Sequence, residues 1–232
     1  MPDKKHANGK RPPCPDPQRY EWVDSSEGGY WRLKKQKGSP VNSSFSANNA
    51  ATSLLAPAIK RIRNRLEEYT RSLDPGRVQG KMSGLLSPTF KKTGKLDLSV
   101  LKGFEFQKEH LLEKLLLAQY QVHVYSNYVE LVIPVAEWAV QKHNSLVTDF
   151  YFEGILLYGD ALKEGSLAVE YASSAPYSFT NTVTESCKLK LPVPPDNLPW
   201  MLMLKVSCLE GNEMAAHAKH YGMKVVEVGG GL

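Results

Sequence analysis

Two hydrophobic periods divide the chain. Leu55, Ile59, Ile62, Leu66, Tyr69 and Leu73 recur at steps of four, three, four, three and four. That is the narrow apolar stripe of an amphipathic helix. A proline fits only the first turn, so Pro57 places the predicted helix start at Ser53 to Ala56. Asp74-Pro75-Gly76 stops it. A shorter helix is predicted over Arg77–Leu86, ending before Ser87-Pro88, and the following TFKKTGK reads as a basic loop.

After Leu96 the period becomes two. Strands are predicted at 103–108, 119–125, 128–133, 149–158, 167–171, 185–191, 201–209 and 223–228, separated by Gly, Pro, Asn, Asp and Ser. LLEKLLLA at 111–118 reads equally as a helical turn or a buried strand. The connections are too short or too proline-rich for crossover helices. The expected fold is α+β, mainly β. An antiparallel β-sandwich at 97–232 follows a helical region at 51–96, and both follow an extended arm and linker at 1–50.

One stretch fixes a register. In YQVHVYSNYVELVIP, residues 120–134, Ser126-Asn127 serves as a two-residue turn. Tyr125 then faces Tyr128, Val124 faces Val129, His123 faces Glu130, Val122 faces Leu131 and Tyr120 faces Ile133. One face, Tyr120, Val122, Val124, Val129, Leu131 and Ile133, is predicted core. The other carries His123 opposite Glu130, which reads as a cross-strand polar pair rather than half of an acid–base centre, because no nucleophile or orienting group accompanies it. Tyr125 and Tyr128 at the tip are candidates for a contact surface.

Charge is unevenly placed. Residues 1–100 carry 19 Lys/Arg against 9 Asp/Glu, and residues 101–232 carry 10 against 15. A basic front and an acidic back suggest two jobs, or an arm that docks on another copy's body. The arm is not merely polar. Trp22, Tyr30, Trp31, Leu33 and Phe45 lie within it, and a small hairpin or aromatic-anchored arm is expected around the turn signal Ser25–Gly29. Each such side chain gains about 1.5–3 kcal/mol when fully buried. They are the candidate protein-interaction residues, with Tyr125 and Tyr128. Lys34, Lys35, Lys37, Lys60, Arg61, Arg63 and Arg65 are the candidates for nucleic-acid contact, since cations interleaved with aromatics can neutralise phosphates and stack on bases.

Other chemistry has little support. The cysteines, Cys14, Cys187 and Cys208, are odd in number and widely spaced, so neither a disulfide framework nor a zinc knuckle is expected. His217 and His220, three apart, resemble part of a metal site with Glu213, but read as a polar turn between the last strands. No cofactor, metal or small-molecule substrate is expected. Tyr125, Tyr128 and Tyr158 form a third possibility, a carbohydrate platform. The N-terminal MPDKKHANGKRPP lacks an apolar run, and no apolar stretch reaches roughly 18 residues, so a cytoplasmic location without a membrane span is expected.

GFEFQ at 103–107, the hairpin ending in Ile133-Pro134 and FYFEGILLYGDAL at 150–162 together resemble a group of uncharacterised Bacteroidota proteins. In that group a basic helical segment precedes a GFEF-type strand and a β-rich C-terminal half. The resemblance spans residues 30–175 and implies a two-part layout, with no activity or site residues to carry over. The combined expectation is a non-enzymatic structural or interaction protein that self-assembles, or binds a protein partner, through its N-terminal arm. Nucleic-acid binding by the basic region is the alternative.

Overall fold

A computed structural model describes residues 13–14, 16–23, 29–34, 43–74, 78–180, 184–194 and 197–230, with backbone alone for 43–50. The chain divides into two compact units, Met1–Phe45 and Ser46–Leu232. In the first, β1 (Tyr20–Val23) pairs antiparallel with β2 (Tyr30–Leu33). This is the small hairpin expected around the Ser25–Gly29 turn, whose residues 25–28 lie outside the described residues.

In the second unit the helices run further than the sequence predicts. α1 spans Ser43–Arg65, a kink at Leu66 leads into α2 (Glu67–Thr70), and α3 spans Val78–Thr93. Residues 43–50, expected to be linker, are therefore helical, and the expected basic loop at 89–95 begins as the last turn of α3. Pro57 and Pro88 lie inside α1 and α3 rather than at their ends. Both prolines face outward, where water can replace the missing helix bond. The buried stripe of α3 is Val78, Met82, Leu86 and Phe90, a strict four-residue spacing.

The remaining elements are β3 (Gln121–Val124), β4 (Tyr128–Val135), β5 (Asp149–Tyr158), β6 (Ala168–Ser173), β7 (Tyr177–Ser178), β8 (Glu185–Pro192), β9 (Trp200–Glu210), β10 (Glu213–Met214) and β11 (Tyr221–Gly229). The ambiguous 111–118 stretch opens as a short helix, α4 (Leu112–Leu115). The fold is α+β and mainly β, with antiparallel sheets packed together. The larger sheet has β9 and β5 at its centre, with β11 and β10 on one side and β6 and β7 on the other. The smaller is β3-β4-β8.

Gly154 shows where the sheets meet. A Cβ there would sit 3.0 Å from Leu191, 3.3 Å from Leu131 and 3.6 Å from Leu189, so β5 turns its even-numbered face to β4 and β8. The odd-numbered face looks the other way. Ile155 is paired with Tyr171, and Tyr171 stacks on Tyr69 at the end of α2, with ring centroids 5.5 Å apart. Helices thus cover the face opposite the small sheet. β5 and β9 are buried on both faces, which is why they read as near-continuous apolar runs.

The predicted strand at 103–108 does not form. Gly103 N and Phe106 N donate to Val225 O and Met223 O, and Phe104 O accepts from Val225 N, leaving one bridge, Glu105 to Lys224. Gly103, at φ 85°, bends the chain before a ladder can extend. The stretch still seals the outer edge of β11, with Phe104 and Phe106 buried.

Candidate functional site

The hairpin register is the one the sequence predicts. His123 lies opposite Glu130, Val124 opposite Val129 and Val122 opposite Leu131, and Tyr125 N donates to Tyr128 O over 2.9 Å. The ion pair at Glu130 comes from the third strand, Lys190 Nζ at 3.5 Å. Lys190 also lies 5.0 Å above the Tyr128 ring, and Tyr125 and Tyr128 stack at 4.5 Å. This is a polar sheet surface with an aromatic tip. Tyr158 is not part of it: it belongs to β5 on the other sheet, where its hydroxyl donates to Glu170 over 3.4 Å.

The predicted core face of the hairpin is only half core. Val129, Leu131 and Ile133 are fully buried, yet Val122 and Tyr120 are half-buried and Val124 is 55% exposed. β4 lies between two strands and over the larger sheet, whereas β3 is an edge whose inner side packs on the core at Val122 and opens at Val124. Periodicity reports which face a residue occupies, not whether a second layer reaches that far.

In the arm, cross-strand pairing sorts the residues. Tyr20 faces Leu33 and Trp22 faces Trp31, while Glu21 faces Arg32 and Val23 faces Tyr30. One face of the ribbon is therefore Tyr20, Trp22, Trp31 and Leu33. On the other, Arg32 pairs with Glu21 through a 2.5 Å contact. Trp22 and Trp31 meet edge to face at 5.2 Å. Leu33 is 60% exposed and Tyr30 52% exposed. The Phe45 side chain, and Lys35 and Lys37, lie outside what is described.

The basic candidates separate in space. Lys34 donates to Pro17 O in the arm. Arg61 Nη1 donates to Ala161 O and Leu162 O, so it fixes the loop after β5, and Arg63 Nη1 donates to Gln79 on α3. Arg61, Asn64, Arg65 and Lys163 line a groove of about 410 Å³, with Glu164 at its side. Lys60 is exposed.

Two clusters are formed by residues the sequence leaves far apart. Glu153 and Lys205 are cross-strand neighbours on the helix-facing side, 3.1 Å apart, with side chains 6% and 5% exposed. Ser207 Oγ donates to one Glu153 oxygen at 2.6 Å and Tyr171 to the other at 3.1 Å. Burial, then the Glu153 charge, pushes the Tyr171 hydroxyl up to about 12, so it remains a donor at neutral pH. The buried carboxylate is satisfied on both oxygens, which describes a structural ion pair. A lone charge of opposite sign inside each of two apolar strands was its only sequence signal.

The second cluster is histidine. His220 is fully buried at the end of a 3₁₀ turn, Ala218–His220, rather than in a solvated turn. Its ring lies 5.8 Å from His143 and 6.5 Å from His217. Asn144 Oδ1 accepts from Leu146 N and Val147 N, which turns its amide nitrogen toward His220 Nε2 at 3.4 Å. The His220 proton then resides on Nδ1, which is buried without a partner among the described residues. Among those residues no group of three or more His, Cys, Asp or Glu side chains is placed to hold a metal ion.

Burial lowers the pKa of both His220 and His143. Lys219 lowers both further, His110 acts on His143, His143 and His217 act on His220, and Glu210 opposes the shift at His220. A lowered folded-state pKa means that the unfolded chain takes up the proton first as pH falls. Stability is therefore full above the ordinary histidine value of about 6.5 and declines below it. Urea midpoints at pH 7.5 and 5.0 check this, and His220→Gln is expected to flatten the difference. An unchanged pH slope in that variant would assign the acid sensitivity elsewhere.

Among the described residues no helix is long and apolar enough to cross a membrane. Cys14, Cys187 and Cys208 are all free thiols. No protein-family model, curated protein or solved structure matches the chain, so a functional reading has to stand on these residues alone.

Proposed function

We propose that the chain is a non-enzymatic structural or interaction protein that assembles with copies of itself through its N-terminal arm. One observation supports the reading: the β1–β2 ribbon aligns Tyr20, Trp22, Trp31 and Leu33 on one face, the first three half-buried and Leu33 60% exposed. An isolated two-stranded hairpin is marginal in water. Burying its apolar face on another molecule supplies the missing stabilisation. Charge favours that approach. Residues 1–50 hold 9 Lys/Arg against 5 Asp/Glu, and residues 103–232 hold 9 against 15. Attraction of this kind speeds encounter more than it tightens binding.

Nucleic-acid binding is the second reading. The groove formed by Arg61, Arg65 and Lys163 favours it, as does the charge of residues 51–102, 11 Lys/Arg against 4 Asp/Glu. Mass photometry of the full chain and of a chain beginning at Ser43 separates the two. Among the described residues the buried core begins at Leu55, with Ala51 packed against it, and the shortened chain keeps both. The full chain is expected as an oligomer and the shortened chain as a monomer. Equal masses, with an added single-stranded oligonucleotide bound by both, would favour the second reading.

A further inference from the structure

The two edges of the smaller sheet are unlike. β8, at one end, carries Lys188, Lys190 and Pro192. Lysine and proline are devices that discourage a further strand. β3, at the other end, pairs with β4 alone among the described residues. Its sequence is Gln-Val-His-Val, with no proline, no bulge and no Lys, Arg, Asp or Glu. The register fixes which main-chain groups are left over. Tyr125 N donates to Tyr128 O, so the alternation of an antiparallel ladder turns Gln121 and His123 toward β4 as well. The N–H and C=O groups of Val122 and Val124 therefore point away from the sheet.

Outward groups on two residues, one position apart, are what a second copy of the same strand requires. In an antiparallel pair about a two-fold axis, Val122 of each copy faces Val124 of the other. Every outward N–H of these residues then meets a carbonyl of the twin strand. Shifting the register by two sets Val122 or Val124 opposite a residue beyond the strand. In the centred register His123 meets its twin on the axis, with Gln121 opposite Tyr125 on either side. Val124, the exposed end of the inner face, lies beside the twin's Val122. A self-pair sets like against like, so a charged strand would repel its own copy. β3 has no such residue, and Glu130, across from His123 on β4, is paired with Lys190.

We infer that β3 of one copy pairs antiparallel with β3 of a second copy about a two-fold axis at His123, joining two three-stranded sheets into one. Both partners use the same patch, so the contact closes on itself. This inference rests on the arm-mediated assembly proposed above and adds a second contact to it. Two four-residue strands bury too little surface to hold two copies alone. Copies already held by their arms meet at high local concentration, where a weak contact closes. Main-chain bonds from Val122 and Val124 supply affinity, and the side chains that face each other across the axis supply selectivity.

The test uses the full chain with Cys14→Ser, since Cys187 and Cys208 are buried and react slowly. His123 is exposed, and His123→Cys places a thiol on the axis. Facing residues that are not hydrogen-bonded have Cα atoms about 4.5 Å apart, within reach of a disulfide. Mild oxidation is expected to yield a disulfide-linked species of twice the chain mass. Gln121→Cys, also exposed, stands roughly 13 Å from its twin and should not link. In parallel, Val122→Pro keeps the bonds to β4, because the Val122 N–H points outward. It should raise the concentration at which oligomers form by about tenfold or more, as bonds across the axis are lost. Suppose His123→Cys links no faster than Gln121→Cys and Val122→Pro assembles normally, while removal of residues 1–42 still dissolves the oligomer. The β3 pair is then wrong and arm-mediated assembly survives. Equal linkage in a His123→Cys chain beginning at Ser43 overturns the reading in which arms bring the strands together.

Discussion

Lys205→Met is expected to lower the stability of the second unit by about 3–5 kcal/mol. The substitution keeps the volume and the apolar stem but removes the cation 3.1 Å from Glu153. A carboxylate at 6% exposure is then left between two sheet strands and the helices with no opposing charge. Ser207 and Tyr171 still donate to it, but neutral donors do not replace the ammonium. With total stabilities of about 5–15 kcal/mol for natural domains, this single change removes a large share. Glu153→Leu combined with Lys205→Met should recover most of the loss, because the pair's own desolvation cost disappears with it. Urea unfolding of the single and double variants distinguishes the outcomes. A single variant within 1 kcal/mol of the parent would mean that the carboxylate is solvated or protonated in the native state.

Trp31→Ala should weaken self-association by about 30-fold or more, the effect of losing a hot-spot tryptophan worth at least about 2 kcal/mol. Trp31 sits at the middle of the ribbon's apolar face and packs edge to face on Trp22. Removing it loses contact area and an aromatic pair worth about 0.5–1.5 kcal/mol. The ribbon is too small to absorb that loss. Trp31→Phe, which keeps a ring against Trp22, should retain part of the affinity. The urea midpoint of the main unit should not move in either variant, since among the described residues its buried core begins at Leu55. Sedimentation velocity over a range of concentrations reads the affinity. Association unaltered in Trp31→Ala would separate the ribbon's apolar face from assembly.

The parts of the fold legible in the sequence are those governed by local periodicity. The 121–132 register followed from a two-residue turn and alternation, and β5 occupies the predicted 149–158. The helix ends were not legible because proline's effect depends on its surroundings. Pro57 and Pro88 face solvent, so neither terminates its helix, and the small polar residues at 43–50 carry no apolar period. The openness of Val124 was hidden because alternation does not reveal where a covering layer stops. Glu153 and Lys205 were hidden by distance, since each looks like a blemish in a buried strand until β5 and β9 are placed side by side. His143 joins His220 for the same reason, brought in from a loop 77 residues earlier in the chain.

The central claim is that the arm holds copies together, and native mass as a function of concentration tests it most directly. The account predicts that the full chain grows from monomer to oligomer as concentration rises, while the chain beginning at Ser43 stays monomeric throughout. Two superimposable mass distributions, at every concentration and at low salt, would contradict it.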